Sequence, residues 1–213
     1  NKLTLFHVDA VQSFGKVFID PENWNIDLLS ISGHKIHGPK GIGALFIKNG
    51  IKIKPLLHGG GQEKNLRSGT ENIPGIAGLI PAVENLPQLN KNKQYDTKIA
   101  NLKDRLINQL QENITECRIN TPDSSAPHIV NVSIPGLKGE VLVHALEEEN
   151  IYVSTGSACS SKSDEANNVL EAIKIPEKYR EGTIRISLCR YNNIEEINYT
   201  IKKLKEKIDY IRI

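Results

Sequence analysis

Apolar residues in the first third of the chain come in short runs. Leu3–Val8, Asp27–Ser32 and Gly43–Ile47 each have strand length, and none alternates cleanly. That pattern predicts strands buried on both faces. Glycine and proline gather between and after them, at Gly33, Gly38, Pro39 and Gly41, then in Gly59-Gly60-Gly61. A helix is predicted over Ile73–Leu86, with Asn72 as N-cap and Pro74 in the first turn.

The pattern changes near Leu86. Residues 90–98 are polar and charged, and Ile99, Leu102, Leu106, Ile107, Leu110 and Ile114 then fall on one helical face. Farther on, strands are predicted at His128–Ile134, Ile151–Ser154 and Thr183–Cys189. Helices are predicted at Gly139–Glu148, Asp164–Ile173 and Ile194–Ile211, the last capped by Asn193 with Glu195 and Glu196 in its first turn. Such mixing of element types indicates an α+β domain. The boundary is expected within 86–98, giving domains at 1–90 and 91–213.

Composition narrows the function classes. The chain has 213 residues, 27 basic and 25 acidic. That supports one large domain or two small ones. The near-zero balance gives no case for a nucleic-acid or membrane-surface specialist. No apolar run reaches the roughly 18–20 residues of a membrane span. Cys117, Cys159 and Cys189 are scattered, with no C-x-x-C pair. That argues against a disulfide framework or a thiolate zinc site and suits a reducing compartment, so the cytoplasm is expected. Methionine is absent even at position 1, and the chain opens directly on strand-like sequence. A piece of a longer protein is therefore expected.

Three segments carry candidate chemistry. In Ser32-Gly33-His34-Lys35-Ile36-His37-Gly38-Pro39-Lys40-Gly41, a lysine follows a predicted strand. A lysine so placed can be desolvated into a Schiff-base-forming amine. On this segment alone, an ordinary lysine in a Gly/Pro-rich loop explains it equally well. In His7-Val8-Asp9-Ala10-Val11-Gln12, an acid ends a strand, where it needs a positive partner such as a protonated pyridine nitrogen. Taken singly, Asp9 reads better as a helix N-cap. The third segment is Ser154-Thr155-Gly156-Ser157-Ala158-Cys159-Ser160-Ser161, small and hydroxyl residues that form a loop rather than a core. An accessible cysteine there can act as a nucleophile. Cys117 and Cys189, beside apolar elements, read as packing.

HVDAVQ, SGHKIHGPKGIGAL, HGGGQEKNLRSGTEN and VSTGSACSSKS, in that order, resemble the cysteine desulfurases, NifS/IscS-like members of the class V aminotransferases. The similarity covers nearly the whole chain. It implies an α/β, fold-type I pyridoxal 5'-phosphate (PLP) enzyme, here the rear portion of the large domain plus a small α+β C-terminal domain. It further implies that Lys35 bonds PLP, Asp9 pairs with the ring nitrogen and Gln12 bonds the ring hydroxyl. Ser32 and His34 would hold the phosphate. Thr70 would reach the phosphate of a neighbouring subunit, which implies a homodimer. Arg185 would clamp the carboxylate of L-cysteine, and Cys159 would carry the persulfide. No metal and no direct nucleic-acid contact is implied. The sulfur acceptor would be an iron–sulfur scaffold or a tRNA-thiolation enzyme.

The sequence departs from the family pattern in places. In the family the stacking histidine, a phosphate-binding threonine and an asparagine near the ring hydroxyl lie before the stretch present here, so none is assigned, and His7 is not the stacking residue. His37 stands at an often aromatic position and reads as packing. The stretch after Cys159 resembles the group with the longer cysteine loop. Two alternatives remain: a related class V aminotransferase or lyase that needs no Cys159, and a non-catalytic fragment that holds no cofactor.

Overall fold

The computed structural model describes residues 4–155 and 165–212. The chain forms two compact units, Asn1–Tyr95 and Asp96–Ile213. Among the described residues, no helix is long and apolar enough to cross a membrane.

The first unit is built on three strands, β1 (His7–Asp9), β2 (Leu28–Ser32) and β3 (Gly43–Ile47). β1 runs parallel to β2, and β3 returns antiparallel beside β2. The return is tight. A Cβ on Gly43 would lie 2.5 Å from the Ile31 carbonyl oxygen, so only glycine allows this approach. Helix α1 (Ile73–Glu84) starts where Asn72 Oδ1 accepts from the Gly75 amide at 3.1 Å.

The buried cluster of this unit is small: Ala10, Ile26 and Leu29, with Val8, Phe14, Ile19 and Ile31 against it. This corrects the expectation of strands covered on both faces. Four of the five residues of β3 are exposed, Leu45 and Phe46 among them. Absence of alternation reports apolar side chains on both faces. It does not supply the elements that would cover them, and this unit packs few against its sheet.

The second unit has an antiparallel sheet of β4 (Arg118–Ile119), β5 (Ile129–Ser133) and β6 (Thr183–Ser187), in that order. Helices α2 (Thr97–Asn113) and α6 (Ile194–Ile211) cover one face, burying Leu102, Leu106, Leu110, Ile197, Ile201 and Leu204 against Val130, Val132, Ile184 and Ile186. Asp96 caps α2 through the Lys98 amide. Asn193 and Glu196 form a reciprocal capping box on α6. Helix α3 (Gly139–Glu147) is followed by Glu148 and Glu149, which pair with Lys203 and Lys207 of α6. Helices α4 (Glu165–Ala172) and α5 (Glu177–Arg180) complete the unit.

Several elements differ from expectation. Ile151–Ser154 is not a strand. It makes one bridge, Ser154 to Arg185, because only that residue comes into register with β6. The two residues of β4 and the four of α5 are too short to show a period. β1 is shorter than predicted and shifted towards Asp9, the stretch that finds partners on β2.

Candidate functional site

Because β1 and β2 are parallel, their carboxyl ends lie at one edge of the sheet, with Asp9 opposite Ser30. This edge is where open α/β sheets bind ligands. Asp9 ends β1, and its Oδ1 accepts from the Val11 amide at 3.0 Å. That is a local turn with no helix behind it, so the helix-cap reading of Asp9 is not realised. Among the described residues the carboxylate has no cationic partner. Gln12 is exposed in the turn that follows.

Ser32 ends β2 and leads into a single 3-10 turn, Gly33–Ile36, that carries His34 and Lys35. The turn is closed by the Gly38 amide donating to the Gly33 carbonyl and by His37 in the left-handed region at φ 66°. His37 is exposed, so it shapes the turn rather than filling a core, contrary to the packing expectation. Ser32 Oγ lies 2.7 Å from His34 Nδ1. Lys35 is half-buried, and its amine has no hydrogen bond or ion pair among the described residues. One sheet edge thus gathers an unpaired carboxylate, an unpaired amine and a hydroxyl–imidazole pair. These groups fit a small anionic, heteroaromatic cofactor: the carboxylate for a ring N–H, the amine for a carbonyl carbon, the pair for a phosphate.

Thr70 is elsewhere in this unit. It lines an apolar groove of about 920 Å³ with Leu45, Leu57, Arg67, Asn72 and Ile76. No hydrogen bond joins it to Lys35, Ser32 or His34. Glu63, on the groove wall, begins a run of three left-handed residues with Lys64 and Asn65 (φ 48°, 56° and 65°). A bond from the Gly69 amide to Gln62 Oε1 closes this loop at 3.0 Å.

In the second unit, Arg185 sits mid-strand on β6. Its side chain lies on the sheet face away from the helices, since its neighbours Ile184 and Ile186 point into the core. It has no acidic partner among the described residues, and its Nε is buried without a hydrogen bond. A half-buried guanidinium with donors to spare fits a carboxylate ligand. The Ser154 and Arg185 backbones pair with each other, and Ser154 precedes Cys159 by five positions. Cys159 itself lies outside the described residues. Cys117 packs against the core and donates to the Leu110 carbonyl, and burial pushes its thiol pKa up. Cys189 is half-buried.

Two further residues share the face of Arg185. Asn131 stands directly opposite it on β5, and Asn120 bonds Asn131 from the other side. Sequence reasoning did not single them out. The alternation in Ile129–Ser133 and Thr183–Ser187 marks a polar face, but which residues stand opposite one another is not a local property.

The family model for aminotransferase class-V matches residues 1–200. The cysteine desulfurase IscS of Clostridium botulinum is 45% identical over 210 residues, covering 95% of this chain and 51% of that protein. The cysteine desulfurase IscS of Methanosarcina thermophila is 43% identical over 208 residues, 97% of this chain and 51% of that one. Among solved structures, a NifS-like protein superposes with a TM-score of 0.82 at 40% identity, covering 99% of this chain and 54% of that one. A NifS-like protein from Rickettsia africae gives 0.81 at 32%, covering 96% and 54%. The chain spans about half the length of the curated relatives it matches.

Proposed function

The chain belongs to the class-V aminotransferase family and has the fold-type I architecture; on that premise we propose that it carries much of the machinery of a PLP-dependent cysteine desulfurase. The names of its relatives point the same way. The observation that supports it most is the shared sheet edge of Asp9, Ser32, His34 and Lys35.

Bound PLP supplies an electron sink for the α-carbon of the amino acid. Asp9 would hold the proton on its ring nitrogen, Gln12 would bond the ring hydroxyl, and Ser32 and His34 would donate to the phosphate. Lys35 would hold the cofactor through its amine and would move the proton at the substrate α-carbon. Arg185 fixes the carboxylate of L-cysteine by paired N–H donors. The Cys159 thiolate attacks the substrate sulfur. The carbon–sulfur bond breaks with its electron pair left on carbon, which takes a proton. The products are L-alanine and a persulfide on Cys159, which passes its outer sulfur to a protein acceptor, an iron–sulfur scaffold or a tRNA-thiolation enzyme. Thr70 serves the cofactor phosphate of a second copy, so the working form is a homodimer in the cytoplasm. The chain passes from the large to the small domain near residues 90 and 91, a few positions before the division of the two compact units at Tyr95 and Asp96.

PLP reconstitution followed by absorbance tests this. A long-wavelength band should form and vanish in Lys35→Ala. Cys159→Ser should keep the band but form no persulfide. Sulfide release from L-cysteine at the original rate by Cys159→Ser would overturn its role. A second reading is that this chain by itself holds no cofactor. The exposure of Asp9, Gln12, His34 and Thr70 favours it, and a colourless protein after reconstitution would decide for it.

A further inference from the structure

The sheet of the second unit has two unlike faces. Val130, Val132, Ile184 and Ile186 point into the helices. Asn131, Ser133, Thr183 and Arg185 point the other way. On that polar face the registers align one straight row across four chain segments. Asn120 stands against Asn131, its backbone N–H donating to the Asn131 carbonyl at 2.9 Å. Asn131 pairs with Arg185, and Arg185 pairs with Ser154.

The ladder fixes how close the central two come. The Leu188 amide bonds the His128 carbonyl and the Ile134 amide bonds the Gly182 carbonyl. The even-numbered residues of β5 therefore form the hydrogen-bonded rungs with β6. Asn131 and Arg185 are a non-hydrogen-bonded pair, the type in which facing side chains approach most closely, with Cβ atoms about 5 Å apart.

The orientation of the Asn131 amide is also fixed. Arg118 can only donate. Its Nε donates to Asn120 Oδ1 at 3.2 Å, while its guanidinium lies 5.8 Å from the centre of the Tyr179 ring. Asn120 must therefore turn its Nδ2 the other way, where it donates to Asn131 Oδ1 and to Ser133 Oγ, both at 2.7 Å. With its oxygen occupied, Asn131 has its Nδ2 left over. That group makes no hydrogen bond among the described residues and is not among the sealed, unpaired atoms. Beside it stands Arg185, also without an acceptor. Among the described residues no carboxylate belongs to this row, so it offers donors and lacks an anion.

We propose that Asn131 is a second carboxylate-binding residue. Its Nδ2 donates to the same substrate carboxylate that Arg185 clamps, and Arg118 and Asn120 are positioning residues that keep that donor turned outward. This rests on the reading of Arg185 as the carboxylate clamp. An amide held in one orientation beside a guanidinium selects a planar oxyanion and excludes a ligand that ends in a donor.

The test is a titration of the isotopically labelled full chain by NMR with 3-mercaptopropionate, a thiol carboxylate with no amine, against 2-mercaptoethanol, which lacks the carboxylate. The expected result is that 3-mercaptopropionate moves both the Asn131 side-chain amide and the Arg185 Nε–H signals, and 2-mercaptoethanol moves neither. Asn131→Leu should raise the Kd for 3-mercaptopropionate roughly tenfold or more, the loss of one hydrogen bond to a charged group. Arg118→Met, which leaves residue 131 in place, should raise it by a smaller factor and broaden the Asn131 amide signal. If Arg185 responds while the Asn131 amide is silent and Asn131→Leu binds as wild type, this inference fails and the clamp stands. If neither residue responds, the clamp reading fails, and this inference with it.

Discussion

The two units of this chain are built from the same kinds of element and differ in what those elements bury. Among the described residues, the second unit seals eighteen aliphatic side chains between its sheet and helices, and the first seals a cluster of three. In the second unit, α2 and α6 each turn a full apolar stripe to the sheet. In the first, α1 leaves Ile73, Ile76, Ile80 and Val83 exposed, a stripe at helical spacing. Hydrophobic burial is the main favourable term in folding. The second unit therefore has its own source of stability, and the first has little. The candidate cofactor residues sit on the poorly sealed unit, and Arg185, Asn131 and the segment leading to Cys159 sit on the well-sealed one.

The sharpest way to break this contrast is to separate the units. Residues 96–213 expressed alone should unfold cooperatively in urea, and residues 1–95 alone should show no cooperative transition. A sharp transition from the first fragment would end the contrast. Next in size is a matched pair of truncations in the whole chain. Leu106→Ala, at a fully buried position, should cost about 3 kcal/mol by denaturant unfolding. Leu45→Ala, about half exposed, should change stability by less than about 0.5 kcal/mol. Equal losses would show that β3 is covered after all.

Smaller effects refine the account of the second unit. Asn193→Ala removes one arm of the capping box of α6 and should cost about 1 kcal/mol, read as a lower denaturation midpoint. The least is expected from the ion pairs between α3 and α6. Hydrogen bonds from Lys203 and then Lys207 hold the Glu149 carboxyl pKa below the usual carboxylate range. Glu148 above all raises Lys207. A carboxyl with a lowered folded-state pKa stabilises above its unfolded pKa and loses that contribution as pH falls through the folded value. Glu149→Gln should therefore lower Tm slightly at neutral pH, with the gap closing in acid. The lysines act with the opposite sign, and their contribution fades only as pH rises through their raised values. A gap unchanged from neutral to acid pH would show that this pairing contributes nothing.

Much of the scaffold was legible before any coordinate. Asn193 with Glu196, and Asn72 with Gly75, are contacts between residues three apart, so the motif carries its own geometry. The apolar stripe of α2 is likewise periodic over one helix. Lys35, Asp9 and Thr70 stand out as motif positions, although only the parallel pairing of β1 with β2 brings Asp9 to the edge where Lys35 begins its turn. The shortness of β1, the single bridge at Ser154 and the existence of β4 were not legible, because each depends on which distant residue supplies a partner.

Local sequence suffices for the helices with their caps, the alternation of the second sheet, and the residue types that carry chemistry. These follow from interactions within a few positions of one another. Register and cover are settled by packing between distant parts of the chain. Ser133 meets Thr183 across 50 residues, and one step of slippage would turn Arg185 and Asn131 into the core. The exposed face of β3 shows the same limit from the other side. A strand encodes its own apolar surface, but the element that buries it is chosen by packing over the whole fold.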